Sequence, residues 1–360
     1  MKKTLLFICS MMIFSCINRS INDRYDTPER YLKYSTTSQR LPQEVYKNPQ
    51  IIPLETSDSC LIGEMSNLMV CDNMFFISGV QSGILKFKDN GTFDRKIGKL
   101  GGSPTEYTSF NDIDIDTVLQ QIMIQDLHKI ISYDYDGRFV KSMSYDIPAF
   151  SFTKNNNYYW FYTGRNKAYS NYMLCKADSA LQNKTDHLEQ HSNLLPMIGK
   201  NWNKGFRTTF SENFMNRVYY IKDENLICSY EIDFGSLSIP MEVYTASAFE
   251  ALPILQNKHY AMIERYLDNG NYAFFLISEH KPSEDVKFYH WIIDKNDQNR
   301  QEFVINLHNI STDSYLFNPQ SLAQNNTLYF LGYPILDDKN DLTYENENPS
   351  VISINLDLLQ

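Results

Sequence analysis

Three aspartates alternate in Asn111-Asp112-Ile113-Asp114-Ile115-Asp116. Alternate residues of a strand point the same way, so the three carboxylates would share one face. A row of this kind has the oxygen chemistry of a hard-cation site. It lacks EF-hand spacing and the glycine of that loop, and it is read as a solvated edge with no metal. His187 and His191 stand four apart in Asp186-His187-Leu188-Glu189-Gln190-His191. A helix would bring both imidazoles to one face, but the acid is not placed as in H-E-x-x-H, and the polar surroundings read as an exposed loop. The six cysteines (Cys9, Cys16, Cys60, Cys71, Cys175 and Cys228) include no C-x-x-C pair. Metal-ligand spacing is therefore absent, and the last four suit either buried thiols or one or two disulfides. No G-x-S-x-G elbow and no Cys–His dyad stands out. No catalytic residue is assigned and no cofactor is expected.

Three residues are singled out as ligand contacts. Glu106 and Tyr107 end the loop Gly101-Gly102-Ser103-Pro104-Thr105-Glu106-Tyr107, where two glycines permit tight backbone and the Glu106 carboxylate can accept backbone N–H bonds. No Lys-Ser/Thr follows, so this is no phosphate loop. Trp202 lies in Leu181–Phe206, a stretch without a good strand pattern that reads as a long insert. The run Tyr158-Tyr159-Trp160-Phe161-Tyr162 reads first as core, with carbohydrate stacking as the other reading.

These residues need a scaffold, and composition indicates which kind. The 360 residues include 25 Tyr, 22 Phe and 3 Trp but only 10 Ala, a bias towards sheet over helix. The formal charge is -10 with no basic run, so nucleic acid is not an expected partner. Two segments repeat. Ile84-Leu85-Lys86-Phe87 leads to Asn90-Gly91-Thr92-Phe93, and Ile130-Ile131-Ser132-Tyr133 leads to Asp136-Gly137-Arg138-Phe139. Their offset of 46 residues is the length of a four-stranded propeller blade, and Asn-Gly and Asp-Gly suit tight hairpin turns. Four less regular units follow, around Tyr158–Cys175, Arg217–Phe234, Tyr260–Asp294 and Thr327–Leu356. The expected fold is all-β: a six-bladed β-propeller of four-stranded antiparallel blades over residues 51–360, nearly free of helix.

The start of the chain reads as an address. Met1-Lys2-Lys3 precedes an uncharged apolar stretch, Thr4–Phe14, too short to span a bilayer. Ile13-Phe14-Ser15-Cys16 resembles a bacterial lipobox, with Phe14 departing from its small-residue preference. The expectation is a signal peptide over residues 1–15, lipidation at Cys16 and a tether over residues 16–50. The lipid would be the hold on the membrane. No acidic cluster follows Cys16, which favours the periplasmic face of an outer membrane over the cell surface.

Three further segments carry a family resemblance. They are Ile52-Pro53-Leu54-Glu55-Thr56 with Leu61-Ile62-Gly63-Glu64, the loop Ile97–Tyr107, and Tyr230-Glu231-Ile232-Asp233-Phe234-Gly235 with Ile239-Pro240. Over about residues 45–360 the chain resembles the six-bladed β-propeller lipoproteins of Bacteroidetes, related to NHL-repeat and TolB-like propellers. Ser103 stands where that family's loop usually has glycine. The resemblance implies fold and address but almost no chemistry. The function favoured on these grounds is a non-catalytic binding or scaffold module for an envelope protein, peptide or glycan. The alternative is an enzyme on the same scaffold, such as a Ca²⁺-dependent lactonase-like hydrolase or a lyase.

Overall fold

A computed structural model describes residues 27–35, 49–63, 67–79, 82–165, 167–190, 201–296, 302–306, 315–334 and 347–359. The described residues form six antiparallel sheets, the blades of a propeller. Blade 1 holds β3 (Asn67–Cys71), β4 (Met74–Gly79), β5 (Gly83–Lys88) and β6 (Phe93–Ile97). Blade 2 holds β7 (Asp112–Asp116), β8 (Gln121–Asp126), β9 (Lys129–Asp134) and β10 (Phe139–Ser144). Blade 3 holds β11 (Ser151–Asn155), β12 (Tyr158–Tyr162), β13 (Tyr172–Asp178) and β14 (Lys184–Glu189). Blade 4 holds β15 (Trp202–Lys204), β16 (Thr208–Phe210), β17 (Arg217–Lys222) and β18 (Asn225–Asp233). Blade 5 holds β19 (Tyr260–Asp268), β20 (Tyr272–His280), β21 (Lys287–Asp294) and β22 (Glu302–Asn306). Blade 6 combines β23 (Tyr315–Leu322), β24 (Thr327–Pro334) and β25 (Ser350–Asn355) with β2 (Gln50–Pro53) from the other end of the chain. A further strand, β1 (Arg30–Lys33), pairs in parallel with the outer edge of β18.

The middle strands read as continuous apolar runs because neighbouring blades cover both of their faces. Their alternate side chains enter different cores. Phe75 and Ile77 of β4 join Leu331 and Val351 of blade 6, whereas Phe76 between them joins Ile124, Ile131 and Tyr133 of blade 2. The aromatic run on β12 divides the same way. Tyr159 and Phe161 pack with Met123 and Ile130 of blade 2, and Trp160 and Tyr162 with Phe210 and Tyr219 of blade 4. The remaining two cores join blade 4 to blade 5 and blade 5 to blade 6. That run is core.

The 46-residue repeat marks equivalent turns. Gly91 and Gly137 sit at φ +84° and +79°, and their N–H groups donate back to Lys88 O and Asp134 O. The Gly91 turn also meets the ring closure, since Glu55 N donates to Gly91 O at 2.9 Å.

Helix is a small share of the chain: after β18 it forms α1 (Met241–Thr245) and α2 (Ala248–Gln256) before blade 5. A capping box starts α2, with Ser247 and Glu250 exchanging hydrogen bonds. The stretch Leu181–Phe206 contains β14 and β15 and so is not simply an insert. β14 is an outer strand with a largely exposed face and β15 is three residues long, so neither shows an apolar alternation. Cys16 and His191 lie outside the described residues.

A Cβ on Gly91 would lie 2.1 Å from Pro53 O, whereas one on Gly102 meets nothing within 4 Å. Gly91→Ala is expected to destabilise the ring by about 2 kcal/mol or more, and Gly102→Ala by roughly 0.5 kcal/mol at most. Urea unfolding of the two variants beside the wild type measures both.

Candidate functional site

The first strand of each blade is its innermost strand. Such a strand has an open edge whose N–H groups need partners. On β11, Phe152 N and Lys154 N point to that edge. Asp112 Oδ2 accepts from Phe152 N at 3.1 Å, and Asp114 Oδ2 accepts from Lys154 N at 2.6 Å and from Thr153 Oγ1 at 2.9 Å. Asp116 pairs with the Lys154 ammonium. The aspartate row is therefore a row of pegs stitching blade 2 to blade 3, and the solvated-edge reading is corrected. Asp112 and Asp114 are each 4% exposed. Burial pushes the Asp114 carboxyl above its ordinary value, against the opposing pull of Lys204 and the Lys154 N–H. Among the described residues, no three His, Cys, Asp or Glu side chains are grouped to hold a metal ion.

Lys204, on β15, crosses the channel to Asp112 at 2.7 Å and also donates to Ile113 O. Gln320 of blade 6 accepts from Leu68 N of blade 1 at 3.2 Å. With these groups in place, the central cavity measures only about 40 Å³.

The three residues singled out from the sequence are held in packing and loop closure. Trp202 is 4% exposed, with its ring against Phe210 at 5.0 Å and Trp160 at 6.3 Å. Glu106 accepts from Ser103 N at 3.0 Å and pairs with Lys99 at 3.1 Å. The Ser103 N–H and then Lys99 hold its carboxyl below the usual range. Tyr107 is 3% exposed in the core between blades 1 and 2. The structure does not bring Trp202 together with the loop pair. His187 lies on a strand, half-buried, not in the expected exposed loop, and its ring packs on Trp160 at 4.9 Å. Burial, aided by Lys176, lowers its pKa to about 4. Cys60, Cys71, Cys175 and Cys228 are free thiols; burial pushes Cys71 up to about 11 and Cys175 to about 12. Thiols of that kind are poor nucleophiles.

The larger opening is a cleft of about 540 Å³ over blades 3, 4 and 5, which the sequence reading missed. Its walls are Met173 of β13, Phe214 and Met215 of the β16–β17 loop, Phe234 after β18, Met241 and Tyr244 of α1, and Met262 of β19. Tyr244 donates its hydroxyl to Phe214 O at 3.0 Å, tying the helical insert to the blade-4 loop. The inner faces of α1 and α2, through Val243 and Ala251, pack against Phe214 and Ile239. The two arginines that line the cleft are paired, while Glu189 at its edge is exposed. Arg165 Nε and Nη2 donate to the two oxygens of Glu212 at 2.5 and 2.6 Å, with both side chains buried. Arg217 pairs with Glu231 at 2.8 Å. Asn213 donates to Glu264 at 2.6 Å. What remains open is mostly thioether and aromatic surface, in the size range of small-molecule and side-chain pockets. The signals that could have located it are the Ser247-x-x-Glu250 capping box and the Phe214-Met215 pair in a loop.

Removing one partner of a buried ion pair leaves an uncompensated charge and costs about 3–5 kcal/mol, whereas an apolar pair of similar volume is often neutral. Arg165→Met alone is expected to lower stability by that amount, and the double change with Glu212→Leu to restore most of it, as read by urea unfolding.

Among solved structures, the chain is similar to an exported protein of Bacteroides fragilis, with 16% identity, 90% of this chain and 98% of that chain covered, and a TM-score of 0.68. It also matches U3-55K, at 10% identity over 83% of this chain and 100% of that chain with a TM-score of 0.42. BamB of Moraxella catarrhalis matches at 6% identity over 85% and 97% with a TM-score of 0.38. The first of these likenesses shows the fold alone. No functionally curated protein matches the sequence. Residues 32–356 match the family described as a domain of unknown function, DUF4934, and the chain belongs to that family.

Proposed function

We propose that this chain is a lipid-anchored cell-envelope propeller, akin to NHL-repeat and TolB-like propellers, that works as a non-catalytic binding or scaffold module. The observation that carries this reading is the cleft: an open, mostly apolar hollow whose two arginines are already paired, beside a channel narrowed by side chains. Of the partners considered, the cleft suits a protein or peptide offering an apolar side chain better than a glycan. A sugar site needs exposed aromatic faces and unpaired polar groups. The thioether walls add adaptability, since methionine repacks around different shapes.

Topology supports the membrane geometry. Turns joining the first strand to the second, and the third to the fourth, gather on one rim. Loops joining the second strand to the third, and the blade-to-blade connections, gather on the other. The cleft belongs to the second rim. β1 enters at the first, where Glu29 N donates to Cys228 O beside the β17–β18 turn. A lipid on Cys16 would lie at most about 40 Å of extended chain from Thr27, so the cleft would face away from the bilayer. Among the described residues, no helix is long and apolar enough to cross a membrane. We place the protein at the outer membrane, with the periplasmic face favoured.

Palmitate labelling of cells tests the anchor: incorporation is expected in the wild type and absent in Cys16→Ala, and labelling of that variant would refute the attachment. The binding role is tested by placing a photo-cross-linking residue at Met241, which is 74% exposed beside the cleft, or at Val118, 89% exposed on the other rim. A discrete protein adduct is expected from position 241 and not from 118. Equal yields, or none from 241, would overturn the cleft as the binding site.

A further inference from the structure

Arg265 of β19 reaches the central cavity and has no counter-ion there among the described residues. Among them it makes one hydrogen bond, from Nη1 to Pro319 O at 2.6 Å. The nearby acids are committed elsewhere. Glu264, its neighbour in sequence, accepts from Asn213 Nδ2 and Ser278 Oγ, both at 2.6 Å. Asp112, on the far wall, is held by Lys204 and the Phe152 N–H. With Lys204 and Asp112 neutralising each other, the cavity keeps a net charge of one, carried by the guanidinium. Burial draws the pKa of Arg265 down to about 10, with Glu264 opposing, so at neutral pH the group remains charged.

A half-buried guanidinium with donors left over from Pro319 O is well suited to meet an anion. The walls around it are mixed, with Asn203, Lys204 and Gln320 beside Leu68, Met69 and Ile113. A single water needs roughly 10–15 Å³ of such space. The 40 Å³ present has room for a group of a few heavy atoms. Guanidinium donors match the two oxygens of a carboxylate better than a spherical ion.

We propose that the cavity at Arg265 is a binding site for one small carboxylate at the centre of the ring, separate from the apolar cleft. The anion supplies the missing charge beside β19 and ties blade 5 to the inner strands across the channel. The site depends on neither the lipid anchor nor the cleft's partner.

Thermal unfolding of the full chain tests it at constant ionic strength with chloride replaced stepwise by formate or acetate. A saturable rise in Tm of roughly 2–5 °C is expected with formate. Acetate should act more weakly because the cavity is small. Arg265→Gln should lose the rise, and Arg265→Lys should keep only part of it. Carbon-13 formate line broadening, read on the folded wild type, gives a second measure that does not depend on any variant folding. The absence of both a carboxylate-specific rise and broadening in the wild type would overturn the site. A rise retained in full by Arg265→Gln would also overturn it.

Discussion

Every blade is a sheet with apolar side chains on both faces, and neither face can be buried by the blade itself. The whole structure depends on that constraint. Phe76 needs blade 2 and its neighbours Phe75 and Ile77 need blade 6, so one strand binds two other blades through successive residues. Around the ring the same division produces six interblade cores. It has no stable open form, because an end blade would leave a face of Phe, Tyr and Ile in water. Closure follows through β2, which leaves the beginning of the chain to complete the sheet formed by its end.

The inner strands meet a different problem. They lie side by side around the channel without a shared ladder, so their outward N–H groups are orphaned unless side chains reach them. Asp112 and Asp114 do this for β11, while Lys204 pairs with Asp112 and Lys154 with Asp116. The channel is thereby turned from a passage into a polar core. Arg265 is the one cation of this core left without an acid among the described groups that line it, and so it stands apart from the other charges there.

The blades alone would leave a flat rim. The insert α1–α2 changes that by leaning on Phe214 and Ile239, and the space beneath its edge becomes the cleft. The outer side of α2 keeps Phe249 and Leu252 exposed at 90% and 57%, beside Met241 at 74%. Apolar surface thus continues from the cleft over the insert, on the rim opposite the entry of β1.

Blade number and strand placement were legible in the chain because they rest on local signals: a 46-residue offset, Asn-Gly and Asp-Gly turns, and apolar runs the length of a middle strand. Even the aromatic run on β12 could be assigned to the core, since any blade buries both faces. Strands at the two edges were harder to see. β14 is polar because one face meets solvent, and β15 is too short for a period. The roles of single polar residues were not legible at all. Asp112 looks like a solvated acid until blade 3 brings Phe152 N to it and blade 4 brings Lys204, from residues 40 and 92 positions away. The cleft likewise exists only where β13, a loop of blade 4, a helix and β19 converge. Local patterning determined the architecture, because turn and strand preferences act over a few residues. The sites were decided by tertiary closure, because burial and counter-charge come from groups distant in the chain.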